Sequence, residues 1–343
     1  MLVGGCTTTR PVDWATIAAR NPAPVVTAVG ETAAVATANA DAADDPAIWR
    51  DHRDPARSLI VGTDKRAGLN VYALDGTQRD FVDAGRVNNV DLIETTIAGR
   101  RQVLVAASDR NDAAAARIAL FALDTAAAKL TPLGSVAGGA GEAYGLCLGP
   151  NRTGGVDAFL VLKDGTIAQV ALDLSTAQPT GRIVRTMKLA TQSEGCVVDP
   201  RTARLYVAEE DVGIWRFDAA ATGSAVPVKV AGIDGRTLVA DVEGVALAPI
   251  GASGGWLVVS SQGDNAYALF DLATEKFSGR FRVGAGTLGA TSETDGIAVA
   301  LGDFGASYPG GLFVAQDGDN LPKAQNFKLV SWASIVSALA LQP

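Results

Sequence analysis

Short runs of four or five aliphatic residues recur along the chain, each broken by a polar turn and followed by a second alternating run. The second run ends on an aromatic or aliphatic residue, often with Asp next. Six such copies begin at Ser58, Gln102, Ala158, Arg204, Trp256 and Gly311. Apolar and polar residues alternating with a period of two, around a turn, predict a β-hairpin each time.

A shorter element precedes each hairpin: DDPAIW, NNVDLI, EAYGLCL, SEGCVV, VEGVAL and TDGIAV. It opens on an acidic or polar residue, usually followed by Gly or Pro, then alternating aliphatics. Alignment puts Asp45, Asn89, Tyr144, Glu194, Glu243 and Asp295 in one register, 44 to 55 residues apart. Units of that length with three or four short strands are propeller blades, which bury both faces only when stacked around an axis. The expected fold is all-β, a six-bladed β-propeller, with the aligned residues converging on one mouth of the central channel. Six copies of one two-part pattern argue against a β-sandwich or irregular barrel.

Residues 24–343 read as one propeller domain, and residues 1–23 as a signal remnant or tether. Val25–Thr37 is available to complete the last blade, and Trp332–Leu341 to form a short helix or strand. Leu2-Val3-Gly4-Gly5-Cys6 has the form of a lipobox, which would make Cys6 a lipid-anchor site and the protein exported: extracellular, periplasmic or an outer-membrane lipoprotein. Cys147 and Cys196 lie in apolar strands and read as buried free thiols.

Composition narrows the function. Apolar residues make up 48% of the 343, enough for a large core, and no run reaches the roughly 20 apolar residues of a membrane span. The net charge is −8, without a basic cluster, which argues against nucleic acid as a partner. A monomer acting on a small molecule is the expectation.

The acids are dense around the aligned positions. Asp44 adjoins Asp45, Glu209-Glu210-Asp211 follows Glu194 on the next strand, and Asp241 and Glu293 stand two residues before Glu243 and Asp295, as if on the same strand faces. Crowded carboxylates repel one another, so either their pKa values rise or cations bind. Oxygen-only donors suit Ca²⁺. Zinc is disfavoured, because the one histidine, His52, sits in a polar loop and no cysteine pair has ligand spacing. Lys65, with Arg66 beside it, Arg110 and Lys163 each follow the second strand of their unit, which puts an anion-binding side beside the acidic one. Metals facing bound phosphate can serve phosphate-ester hydrolysis without a side-chain nucleophile, and no G-x-S-x-G motif or P-loop is present.

At these residues the chain resembles the β-propeller phytases, calcium-dependent alkaline enzymes of bacteria. The matching strings include DAADDPAIW, GRVNNVDL, SEGCVVD, LYVAEEDVGIW, ADVEGVAL and QNFKLV, in family order from about Asp41 to Trp332. The resemblance implies several Ca²⁺ ions, structural and catalytic. Catalytic ligands would be Asp44, Glu194, Glu210, Asp241, Glu243 and Asp295, and Asp45 would hold a structural ion. It implies phosphate binding by Lys65, Arg110, Tyr144 and Lys163. It further implies attack by a metal-bound water on phosphorus, without a covalent intermediate, and calcium phytate (myo-inositol hexakisphosphate) as substrate. A lactonase-type propeller and a non-catalytic binding propeller are the alternatives. Two departures stand out: Gly289 where the family commonly has aspartate, and Asp64 where asparagine is usual, a change that would tune Lys65 or weaken anion binding.

Overall fold

The computed structural model describes residues 14–341. Six antiparallel sheets follow one another along the chain. The inner strands of blades 1 to 6 are Ala43–Trp49, Val87–Ile97, Ala143–Pro150, Ser193–Asp199, Val242–Ile250 and Ile297–Leu301. Each inner strand contacts the next, and the sixth contacts the first, so the ring is closed. The six-bladed propeller is therefore present as expected.

Strand alternation sends one face of every sheet toward each neighbouring blade. The buried apolar side chains accordingly form six clusters, one per interface between blades. Between blades 5 and 6, Phe313 packs edge-on against Tyr267 and Phe281, with ring centroids 5.0 and 5.4 Å away.

The segment Val25–Thr37 serves two blades rather than one. Gly30–Glu31 pairs antiparallel with Asn326–Ser331 and completes blade 6. Val25–Thr27 adds a parallel fifth strand to blade 5, against Phe277–Gly284. An N-terminal strand in the last sheet joins residues almost 300 positions apart and closes the ring. The tail forms a helix, Trp332–Ala338, which buries Trp332 and Ile335 against blades 5 and 6. A second helix, Trp14–Arg20, falls within the segment read as a tether, while Cys6 lies outside the described residues.

Cys147 and Cys196 are buried as expected but are not free thiols: they form a disulfide, with Cα atoms 5.7 Å apart. They belong to the inner strands of blades 3 and 4. Each strand read alone shows only a cysteine among aliphatics. Stacking of the consecutive blades 3 and 4 brings the two cysteines together.

Candidate active site

At one channel mouth, five inner strands carry a register shift at the same place: Ala43/Pro46, Val87/Val90, Ala143/Gly145, Ser193/Cys196 and Val242/Val245. A bulge inserts one residue and re-aims its side chain. Here it turns a polar residue out of the ladder and into the channel.

The backbone shows which residue that is. Gly244 N donates to Asp295 O at 2.7 Å and Gly296 N to Asp44 O at 3.0 Å. A Cβ on Gly145 or Gly195 would likewise run into the carbonyl oxygen of Glu194 or Glu243. The residue before each of these glycines is thus the ring position. This makes Asp44, not Asp45, the equivalent of Glu194, Glu243 and Asp295, and Asn88, not Asn89, the equivalent of Tyr144. The expected register was one residue off in blades 1 and 2. There the acid-Gly pattern is replaced by Asp44-Asp45-Pro46 and Asn88-Asn89, where, in the sequence pattern, the second polar residue takes the place the acid holds in the other blades.

A second ring stands outside the first. The residue after each second strand donates its backbone N–H to a residue ahead of the inner strand, the one immediately ahead in blades 1 to 5 and Ser292, five residues ahead of Ile297, in blade 6. Lys65 pairs with Ala42, Arg110 with Arg86, Lys163 with Glu142, Glu210 with Gln192, Gln262 with Asp241, and Gly318 with Ser292, at 2.7 to 3.1 Å. One shared hydrogen bond therefore puts three cations, then Glu210, around the same mouth.

The acidic side is compact. Glu194, Glu210 and Glu243 each offer a carboxylate oxygen, and the three atoms lie within 4.8 Å of one another. Asp44 and Asp295 adjoin them, joined by the Lys65 ammonium at 3.0 Å from each and 2.9 Å from Asp41. Asn88 donates to Glu194 Oε1 at 2.7 Å, Gln192 to Glu210 Oε2 at 2.7 Å, and Gln262 to Asp295 Oδ1 at 2.6 Å. Asp44 Oδ1, Glu210 Oε1 and Glu243 Oε2 are buried without a hydrogen-bond partner.

Burial pushes the Glu243 carboxyl well up, and Glu194, Asp295 and Glu210 push it further. Glu194 rises through burial and the charges of Asp44 and Asp295, with Lys65 opposing. Burial takes Glu210 to about 7 against the Gln192 hydrogen bond, and Asp295 to about 7 against Lys65. For Lys65, burial works against the charge, but Asp44, Asp295 and Asp41 outweigh it and the pKa is raised. Carboxylates that resist ionisation together, three of them with oxygens within 4.8 Å of one another, fit a divalent cation that prefers oxygen donors.

The other side is built on Tyr144. Arg110 lies over one part of its ring, 5.4 Å from the centroid, and Lys163 stands 5.1 Å from it. Arg110 is itself held by Glu142 at 2.6 Å and by the Asn88 side-chain oxygen. Burial, then the charges of Glu194, Glu243 and Glu210, raise the Tyr144 pKa, so the hydroxyl stays a proton donor. Two cations and a neutral phenol facing a carboxylate cluster can hold an anion against a bound cation.

Other predicted residues lie apart. Asp45 is below the ring, where its Oδ2 accepts from Val90 N at 3.1 Å beside a cavity of about 310 Å³ that Asn89 and Asp91 also line. Its pKa is raised by burial, then by Asp44. Asp241 stands one residue ahead of its strand rather than on the strand face of Glu243, near Asp211 and Glu210. Glu293 is exposed and has φ of 47°, which is not an extended strand position.

The run Glu209-Glu210-Asp211 splits: Glu209 turns away and accepts from Ala190 N, Thr191 N, Thr191 Oγ1 and Trp215 Nε1. Asp64 also turns away from the Lys65 ammonium and caps Thr37 N and Arg66 N, both at 3.1 Å. A Cβ at Gly289 would lie 3.8 Å from Lys328 Nζ, and that buried ammonium is already held by Glu31, Asp317, Asn320 and Asn326. The site residues missed in the sequence are Asn88, Gln192, Gln262, Asp41 and Glu142. Asn88 stands beside the aligned Asn89, Asp41 and Glu142 open the strings DAADDPAIW and EAYGLCL without being singled out, and the amides Gln192 and Gln262 carry no charge to mark them.

Comparison with known proteins identifies the family. The chain matches the family described as Phytase across residues 6–343. It is 38% identical over 333 residues to the 3-phytase of Bacillus subtilis (strain 168), covering 93% of this chain and 86% of that protein. Two distant solved structures share the fold alone. One is a chain of the mitotic checkpoint complex (13% identical, TM-score 0.51, covering 98% of this chain and 86% of that one). The other is a glucose dehydrogenase (11% identical, TM-score 0.52, covering 85% of this chain and 98% of that one).

Proposed function

The chain belongs to the phytase family, and from that premise we propose that it removes phosphate from myo-inositol hexakisphosphate in a calcium-dependent reaction at this channel mouth. The observation that carries the calcium reading is the Glu194, Glu210 and Glu243 group, whose ligand atoms lie within 4.8 Å of one another. Buried, unpartnered oxygens on Asp44, Glu210 and Glu243 support it. Those four residues, with Asp241 and Asp295 beside them, would hold catalytic calcium, and Asp45 a structural ion. Calcium, when bound, neutralises charge on the phosphoryl oxygens and activates a water.

The protein's own groups do the rest. Arg110 and Lys163 bind the phosphate from the side of Tyr144, and Tyr144 donates a hydrogen bond to one of its oxygens. Lys65, anchored by Asp44 and Asp295, brings a fixed positive charge to the junction of the two sides. Preorganised charge of this kind lowers the barrier to phosphoryl transfer without a covalent intermediate. No helix among the described residues is long and apolar enough to cross a membrane. Export is part of the proposal, supported by the Cys147–Cys196 disulfide, which persists in oxidising compartments.

Phosphate released from calcium phytate, before and after exhaustive EGTA dialysis, tests the reading. Activity should disappear and return when calcium is restored. Unchanged activity after complete calcium removal would overturn it.

A further inference from the structure

Gln192 stands immediately ahead of the inner strand of blade 4, two residues before Glu194. Its main-chain oxygen accepts from Glu210 N at 3.1 Å, as the equivalent carbonyl does in every blade. Its side chain offers a neutral amide donor, which no equivalent position has. Ala42, Arg86, Glu142 and Asp241 stand there in blades 1, 2, 3 and 5, Ser292 is the backbone acceptor in blade 6, and none carries an amide. The Gln192 Nε2 group has two protons to give. It donates to Glu210 Oε2 at 2.7 Å and points at the Tyr144 hydroxyl oxygen at 3.4 Å.

We infer that Gln192 is a positioning residue that ties the carboxylate side of the site to the phosphate side. It occupies Oε2 of Glu210, which leaves Oε1, buried and without a partner, as the oxygen presented to a cation. A glutamate held at one oxygen presents the other in one orientation instead of swinging between one-oxygen and two-oxygen contact. At the other end, the tyrosine oxygen accepts from Gln192, so the phenolic proton is left to point at a bound phosphate. The amide is neutral, and it fixes both groups without adding charge to either side. An acid here would add repulsion to a crowded carboxylate cluster, and an ammonium would compete with the cation.

This inference rests on the calcium reading above. The test uses Gln192→Met, similar in length and lacking a donor, and Gln192→Asn, which keeps the amide one methylene short. Calcium binding is followed by calorimetry with the metal alone, turnover on calcium phytate by kcat and KM, and stability by melting in EGTA. Loss of an outer hydrogen bond to a metal ligand weakens metal binding or activity by about 10- to 100-fold. Both variants should fall in that range for calcium affinity, with the turnover loss mostly in kcat, while the melting temperature in EGTA stays at the wild-type value. Wild-type calcium affinity and kcat in Gln192→Met would overturn the inference. So would a melting temperature in EGTA that falls in step with activity, which marks a residue that merely holds the fold. If the wild-type protein itself binds no calcium, the calcium reading fails and this inference with it. If the wild type binds and Gln192→Met binds equally, only the inference fails.

Discussion

Breaking the bridge between Cys147 and Cys196 should destabilise the propeller by an amount set by chain entropy. The two cysteines are 49 residues apart in sequence. The chain-entropy relation puts a cross-link closing a loop of that size at about 4 kcal/mol. With about 2.1 cal/mol/K of unfolding entropy per residue, a chain of 343 residues should lose about 6 °C of melting temperature. The perturbations are Cys147→Ala, Cys196→Ala and the double variant. Either single change removes the whole cross-link, so the double variant should be little worse than either.

The assay is equilibrium unfolding in denaturant with calcium fixed, paired with thiol labelling of the unfolded, unreduced wild type. Positions 147 and 196 should not label until a reductant is added. The bridge lies in the apolar interface between blades 3 and 4, among Phe159, Val161 and Phe217, and not in the channel mouth. Turnover well below the transition should therefore change far less than stability does. Labelling of both positions without reductant would refute the cross-link. Two small, additive single-variant losses would refute the entropic account of it.

Glu209 and Glu210 are neighbours with opposite roles, so their variants should separate. Glu209→Gln should weaken four hydrogen bonds and destabilise the fold by about 1–3 kcal/mol, with kcat falling little. Glu210→Gln should cut kcat and calcium affinity with little change in melting in EGTA. Lys65→Ala should lower both, since it leaves Asp44 and Asp295 buried beside each other without their cation. Breaking such a buried pair costs about 3–5 kcal/mol, and calcium should restore part of it in a melting scan. Burial opposes ionisation of Glu31, but hydrogen bonds from Lys328, Lys323 and Asn326 outweigh it and bring the pKa down to about 2. Its folded pKa is below its unfolded one, so its contribution is present above about pH 4.5 and lost as pH falls toward 2. Glu31→Gln should flatten that part of an acid-unfolding curve, and an unchanged curve would count against the pair.

The sequence by itself determined the architecture and the chemical character of the site. Six repeats with period-two alternation have few ways to bury both sheet faces, and a ring of blades is the one that matches their number and length. Lys65, Arg110 and Lys163 follow their second strands at equal places, so any stacking of equivalent blades brings them to one mouth. The acidic strings needed no more than that to predict a carboxylate cluster.

The tertiary structure decided, in physical terms, which of two adjacent residues faces the channel. In a strand a shift of one residue reverses the side chain, and a bulge adds such a shift without changing composition. Asn88 rather than Asn89 follows from that local geometry, and the same bulge supplies the physical reason for Asp44, which the family resemblance had already set apart from Asp45. The disulfide and the reach of Gln192 from Glu210 to Tyr144 depend on how blades 3 and 4 stack, and the contact of Lys65 with Asp295 depends on closure of the ring. They join side chains from separate strands and blades, up to 230 positions apart, and no pattern within one repeat encodes the pairing.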